Sequence, residues 1–319
     1  MIQAEAISEL IGKLDDLRNN IHQVIIGQDR VIDQLLVGLI ASGHVLLEGV
    51  PGLAKTLMVK TLADSIHSSF KRIQFTPDLM PSDILGTEIL QTDENGNKYF
   101  RFSPGPVFAN IVLADEINRT PPKTQSALLE LMQERAVTYG GKKYDLPQPF
   151  FLLATQNPIE QSGTFPLPEA QVDRFLLYVK VNYPTALEEE EILEKTTGSF
   201  IGRVDPIFET QEILELQSLC RQVSIDQELI RKVSNLVRNT RPGDSTSEMV
   251  KQYVEWGAGP RAGQALILAA KAYALLQNRY AVVPEDLEKM KIPALQHRIL
   301  LNFKASSEKI PVTEVIDSL

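Results

Sequence analysis

Several features are scarce in this sequence, and each scarcity excludes something. Cys220 is the only cysteine in 319 residues, which rules out an internal disulfide and a thiolate metal cage and suits a reducing compartment. Four histidines (His22, His44, His67 and His297) are scattered, a spacing that speaks against a histidine-built zinc site. The longest apolar runs, Leu35–Ala41 and Ala265–Ala270, fall far short of the ~20 residues that span a bilayer. The first twenty residues carry charges throughout and contain no apolar signal core. Basic residues are outnumbered: 32 Lys and Arg face 41 Asp and Glu, for a net charge of −9. They cluster only as pairs, such as Lys71-Arg72, Lys142-Lys143 and Arg231-Lys232. Coating nucleic acid or an anionic membrane is therefore not the main task of this chain. A soluble, cytoplasmic protein without membrane insertion is expected.

What is present reads as globular. Hydrophobic residues make up 43% and charged residues 23%, and the length suggests two domains at about 150 residues each. Ala4, Ile7, Leu10, Ile11, Leu14 and Leu17 recur at helical spacing, and Val31–Ala41 forms a second helix. Short β-rich runs then alternate with helices. The expected strands are His44–Glu48, Phe70–Phe75, Ile111–Ala114, Phe150–Ala154 and Phe175–Val181, with helices around Thr56–Ser68 and Thr124–Glu134. This alternation implies an α/β domain with a parallel sheet covered on both faces. Two hairpin-like segments interrupt it, Thr87–Phe102 and Ala136–Leu146, the second carrying a Gly140-Gly141 turn. They read either as ordinary surface hairpins or as functional projections. After Val181 the pattern turns helical, with starts near Ser224, Pro260 and Pro284 and a capping box in Thr185 and Glu188. A boundary is expected near residue 183, dividing a core of residues 1–182 from a helical unit of residues 183–319.

The chemistry concentrates at strand ends. Gly49-Val50-Pro51-Gly52-Leu53-Ala54-Lys55-Thr56, followed by Leu57, lies between a strand and a helix. Such a loop turns successive backbone N–H groups toward a phosphate, and the helix N-terminus adds positive potential. Lys55 is placed to reach the β- and γ-phosphates, and the Thr56 hydroxyl to complete a Mg²⁺ shell. Ala54 departs from the generic glycine but still supplies its N–H. Ile111-Val-Leu-Ala-Asp115-Glu116 is a buried strand that emerges in two carboxylates. Asp115 suits a Mg²⁺ ion through its waters, and Glu116 suits orienting or deprotonating an attacking water. Asn157 ends the next strand, within hydrogen-bonding reach of that water or the γ-phosphate. Arg261 stands just inside a helix start, where a cation opposes the helix dipole unless an anion sits beside it. Arg174 precedes the last core strand, where a phosphate contact and a structural salt bridge both fit.

Taken together, these segments resemble the AAA+ ATPases and, within them, the MoxR family. The likeness runs roughly from Val24 to His297. It rests on the GxPGxAKT loop, on Gly105-Pro-Val-Phe-Ala-Asn-Ile-Val-Leu-Ala-Asp-Glu-Ile-Asn-Arg119, and on Pro166-Leu-Pro-Glu-Ala-Gln-Val-Asp-Arg-Phe175. The resemblance implies an αβα sandwich with a five-stranded parallel sheet, then a smaller all-helical lid. It implies ATP and Mg²⁺ as cofactors, with Gly27 and Gln28 near the adenine and Asn157 as sensor 1. Arg174 becomes a finger reaching a neighbouring subunit's nucleotide, and Arg261 a sensor 2 acting from the lid. The two hairpins correspond to the clade's helix-2 insert (about 87–102) and pre-sensor-1 hairpin (about 136–146). It further implies a ring, usually hexameric, doing chaperone-like work on protein complexes, often with a von Willebrand factor A domain partner. Three other functions compete: a nucleic-acid translocase, a motor subunit of the magnesium-chelatase type, and a nucleotide-gated scaffold without turnover.

Overall fold

The structure, a computed structural model, describes residues 2–159, 163–198, 202 and 204–319, with side chains from Ile7 onward. Five parallel strands form the central sheet: β1 (Val45–Glu48), β2 (Phe70–Gln74), β3 (Ile111–Asp115), β4 (Phe151–Gln156) and β5 (Leu177–Lys180). Their spatial order is β5-β1-β4-β3-β2. The register places the carboxyl ends of β1, β4 and β3 side by side, with Glu48 opposite Gln156 and Ala114 opposite Ala154.

Period-two burial explains the sandwich. Leu46, Val112, Ala114, Leu152 and Ala154 face one apolar cluster, together with Leu128 and Leu129 of a helix over Pro122–Glu134. Val45, Leu47, Ile111, Leu113 and Val179 face the other. That second face is covered by α1 (Ile2–His22), α2 (Asp29–Ile40) and α3 (Lys55–Asp64). The burial expected of Ala4 lies outside the described side chains. Leu10, Leu14 and Leu17 are buried as their spacing requires.

The C-terminal part carries α4 (Ala186–Thr197), α5 (Thr210–Gln222), α6 (Gln227–Asn239), α7 (Pro260–Leu276) and α8 (Pro284–Leu295). Its centre is α7, where Ala262, Ala265, Ala269, Ala270 and Ala272 are fully buried or nearly so. These small side chains let α7 pack closely against both α2 and α8. The apolar cluster beneath the sheet therefore runs without a break into the helical part.

Three local differences from the sequence reading have clear causes. Helix α3 stops at Asp64, not near Ser68, because Ser65 caps it and Ile66–His67 pairs in parallel with Phe208–Glu209. Ser224 does not start a helix. Its carbonyl and amide bond across to Val282 and Tyr280, and Asp226 caps α6 instead. The helical part also holds a small antiparallel pair, Val254–Trp256 with Leu300–Leu301. Both hairpins form, as Gly86–Thr92 with Lys98–Pro104 and Ala136–Tyr139 with Lys142–Asp145. The second turns on Gly140 and Gly141, both at positive φ, as a tight two-residue connection requires. Phe102 of the first hairpin stacks on Tyr144 of the second with ring centroids 4.3 Å apart, which locks the two together. No helix among the described residues is long and apolar enough to cross a membrane.

His44 gives the fold a pH dependence. Its ring is buried, with Nδ1 accepting from the Leu152 amide at 3.0 Å and Nε2 at 3.3 Å from the Met132 carbonyl. Burial, the dominant cause, holds its pKa down to about 4 against an ordinary 6.5, and Arg135 adds to the effect. Between those values the unfolded chain binds the proton and the folded chain does not. The stability His44 contributes is thus intact above pH 6.5 and lost as the pH falls toward 4, to the extent of about 3 kcal/mol. Urea titrations at pH 7 and pH 4.5 are expected to show this slope, and His44→Gln to flatten it. Equal slopes in the two proteins would refute the assignment.

Candidate nucleotide-binding site

The loop after β1 is built around its lysine. Lys55, the first residue of α3, folds back so that Nζ donates to the carbonyls of Gly49 and Val50, the latter at 3.3 Å. Burial pushes its ammonium below the ordinary value, while Asp115, Glu116 and Glu48 act to raise it. Ala54 adopts the left-handed conformation at φ 53°, which costs an L-residue about 1–2 kcal/mol. Gly52 takes φ 88° beside it, and Pro51 is exposed. Leu53 packs against the apolar cluster, while Leu57 is 45% exposed on the first turn of α3. The loop closes against the end of β5, where a Cβ on Gly49 would approach the Val181 carbonyl to 3.0 Å.

Next to this closure lies a cleft of about 470 Å³, lined in part by Gln28, Asn182, Tyr183, Glu188 and Gln296. Gln28 Nε2 donates to the Asn182 carbonyl at 2.9 Å. Gly27 has φ 62° and lies under the Glu188 carboxylate, which a Cβ at that position would overlap. Gln28 thus lines this cleft and Gly27 stands next to it in the chain, near the end of β5 against which the phosphate loop closes.

The acidic pair is more elaborately held than its sequence suggests. Thr56 Oγ1 lies 3.2 Å from Asp115 Oδ2, which joins the loop to the end of β3. Asp115 Oδ1 accepts from Thr155 Oγ1 at 2.6 Å, and Oδ2 accepts from Arg72 Nε at 2.9 Å. Glu116 takes φ 59° and accepts from Gln74 Nε2 at 2.9 Å, with Arg119 Nε at 3.1 Å. Asn157 is buried at the end of β4, its Oδ1 accepting from the Ile159 amide at 3.1 Å. Among the described residues no group of three His, Cys, Asp or Glu forms a metal cage. Thr56 and Asp115 are instead hard oxygen donors, the set that suits a Mg²⁺ arriving on phosphates, and Arg72 already places a cation on the carboxylate.

Arg174 and Arg261 lie elsewhere. The Leu176 amide bonds the His44 carbonyl at 2.8 Å, so Arg174 sits at the amino end of β5 and β1. About 16 Å of extended chain, five residues, separates that end from Gly49. Arg174 Nη1 donates to the Leu129 carbonyl at 3.0 Å. Arg261 Nη1 pairs with Asp173 Oδ2 at 3.1 Å, next in the chain to Arg174. Asp173 Oδ1 is held at 2.8 Å by Arg298, whose side chain is almost fully buried. The two arginines thus meet each other across one small cavity, and neither meets Lys55 of its own chain.

Comparison with known proteins identifies the family. Residues 44–177 match the ATPase family associated with various cellular activities (AAA), and residues 246–319 match the AAA lid domain. A putative ATPase from Cytophaga hutchinsonii superposes with a TM-score of 0.91 at 43% identity, covering 99% of this chain and 96% of that one. The chaperone MoxR1 of Mycobacterium tuberculosis is 44% identical over 98% of this chain and 82% of its own length. The chain belongs to the MoxR family of AAA ATPases. Protein MoxR of Paracoccus denitrificans is a further relative, 30% identical over 93% of this chain and 91% of its own. As a MoxR-family ATPase the chain binds ATP, and ATP hydrolysis is the reaction its family implies.

Three neighbours of the acidic pair in this MoxR-family chain escape a reading of motifs: Arg72, Gln74 and Thr155. A signal for two of them exists. Arg72 and Gln74 alternate on a strand paired in register with β3, and Gln74 stands opposite Asp115. Polar residues closing a strand beside a buried acidic strand are candidates for holding its carboxylates.

Proposed function

We propose that this chain is a Mg²⁺-dependent ATPase that works as a ring of copies in the cytoplasm. In this reading residues 1–182 form the nucleotide-binding core and residues 183–319 the lid, and ATP hydrolysis drives chaperone-like remodelling or activation of protein complexes. The observation that carries it is a division of labour. The phosphate loop, Asp115, Glu116 and Asn157 converge on the carboxyl edge of the sheet, whereas Arg174 and Arg261 stand together on the amino edge. One copy has half a site at each edge. A second copy that turns its amino edge toward the first completes the constellation.

The chain's residues then have definite tasks. Loop amides from Gly49 to Thr56 and the Lys55 ammonium hold the β- and γ-phosphates, and Gly27 and Gln28 border the base. Thr56 and, through the ion's waters, Asp115 would hold Mg²⁺, which would supply positive charge against the phosphates. Glu116 accepts a proton from the attacking water, and Asn157 orients that water or the γ-phosphate. Arg174 and Arg261 of the neighbouring copy supply positive charge as the γ-phosphate departs. The chaperone assignment is supported by the name of the Mycobacterium tuberculosis relative. A hexamer and a von Willebrand factor A domain partner rest on the family resemblance. Nucleic acid is disfavoured as the client by the net charge of −9.

Lys55→Ala tests the reading. Its ammonium caps the loop's carbonyls and has Asp115, Glu116 and Glu48 around it. Its loss is expected to weaken ATP binding about 100-fold, in keeping with a charge-assisted contact in a partly buried site. Equilibrium titration with a fluorescent ATP analogue measures this, and unchanged affinity would refute the loop's assignment.

A further inference from the structure

The small cavity at the amino edge holds more charge than two arginines. Its volume is about 190 Å³, and four guanidinium groups line it: Arg174, Arg221, Arg261 and Arg298. No carboxylate is among its lining residues, of those described. Asp173 stands close by, but Arg298 occupies its Oδ1 and Arg261 its Oδ2. Arg298 is further committed to the main-chain carbonyls of Asp173 and Phe175, so it serves as framework. Arg221 is different. It is an exposed residue near the end of α5, and its guanidinium has no hydrogen-bond or ion-pair partner among the described residues. Its charge is felt by Arg135, whose guanidinium is pushed below its ordinary value first by burial and then by Arg221. Like charges gathered without counter-charge raise the free energy of the isolated chain, and an arriving oxyanion relieves it.

We infer that Arg221 is a third phosphate-contacting cation of this edge, acting with Arg174 and Arg261 on the polyphosphate of a nucleotide held by a neighbouring copy. The inference rests on the copy-to-copy reading above and extends it to a residue on a different helix. The cavity has room for a phosphoryl group, and its guanidinium lining favours such an oxyanion over a base or an apolar side chain. Guanidinium forks approaching from α5, α7 and the start of β5 surround such a group on several sides, the arrangement that matches its spread of charge. Because α5 and α7 belong to the helical part and Arg174 to the sheet, the phosphate also reports to both parts at once.

The experiment uses the full chain with Arg221→Gln and Arg221→Lys, and neither should disturb folding, since the side chain makes no bond. Arg221→Gln is expected to lower ATP turnover about tenfold, the worth of one charge-assisted hydrogen bond, with Arg221→Lys losing less. In separated copies, diluted below assembly, affinity for ATP should stay within about twofold, because Arg221 lies far from the chain's own loop. Mixing Arg221→Gln copies with Glu116→Gln copies, which keep Arg221, should restore part of the turnover. Unchanged turnover, or a matching loss of ATP affinity in the separated copies, overturns the inference. Rescue of Arg174→Ala in the same mixture without rescue of Arg221→Gln overturns it and leaves the copy-to-copy reading intact. If Arg174→Ala is not rescued either, both fall. Independently, inorganic tripolyphosphate binding to Lys55→Ala should weaken about fivefold when Arg221→Gln is added, and equal binding by the two proteins counts against the anion site.

Discussion

Glu116→Gln is expected to leave ATP bound and to stop its turnover. The substitution keeps the side chain's size, and the glutamine can still accept a hydrogen bond from Gln74, which lies 2.9 Å from the carboxylate. What it removes is the group proposed to take the proton of the attacking water. A positioned general base contributes about 10²–10⁴ in rate, so turnover should fall by at least about a hundredfold. Binding should change little, because the groups proposed to hold the phosphates, Lys55 and the loop amides between β1 and α3, are left intact. Single-turnover hydrolysis and equilibrium binding of the same preparation separate the two effects. Turnover within a few-fold of the parent protein would remove Glu116 from the role of base. The same outcome would favour a nucleotide-gated scaffold, which needs no water-activating carboxylate.

The two ends of the sheet were unequally legible. The phosphate loop and the Asp115-Glu116 pair each occupy one uninterrupted stretch, so their chemistry survives in the order of residues. Even the anomaly at Ala54 has a local meaning, since the residue sits at φ 53° where glycine is the easier choice. The supports of the acidic pair do not have that contiguity. Arg72 and Thr155 meet Asp115 only because β2 and β4 flank β3 in the sheet, a neighbour relation that no spacing along the chain encodes. Helical periodicity runs past the end of α3 for a similar reason: the residues that follow it pair with Phe208 and Glu209, more than 140 positions away.

Charge was the least faithful guide. A net of −9 suggested little appetite for anions, yet the amino edge gathers four arginines around one cavity. Global balance describes what the surface repels on average. A phosphate responds to the few cations within a Debye length, about 8–10 Å at ordinary ionic strength, and their partners decide what is left over. Here Asp173 serves Arg298 and Arg261 together, so the leftover charge belongs to Arg174 and Arg221. The sequence motif that carries Arg174 also carries Asp173, one residue earlier. Its meaning appeared only when the chain folded Arg261 and Arg298 back onto it.

Arg174→Ala should therefore fail in an assembly-dependent way. Alone, it is expected to lose at least about 10³-fold in turnover, the lower end of what an arginine finger supplies. ATP affinity should persist, since the residue is separated from its own loop by the length of β1. When Arg174→Ala copies are mixed with Glu116→Gln copies, each lacks what the other has. An interface that joins an Arg174→Ala loop to the arginine of a Glu116→Gln neighbour is complete. Random assortment at equal amounts makes about a quarter of interfaces so, which bounds the recovered turnover. A residue acting within its own chain predicts no recovery, because every copy then carries one uncompensated defect. Turnover measured across mixing ratios should peak near equal amounts and vanish at both ends. A flat line at the level of the separate proteins, from copies shown by size to co-assemble, would return Arg174 to a structural role between β5 and the Leu129 carbonyl.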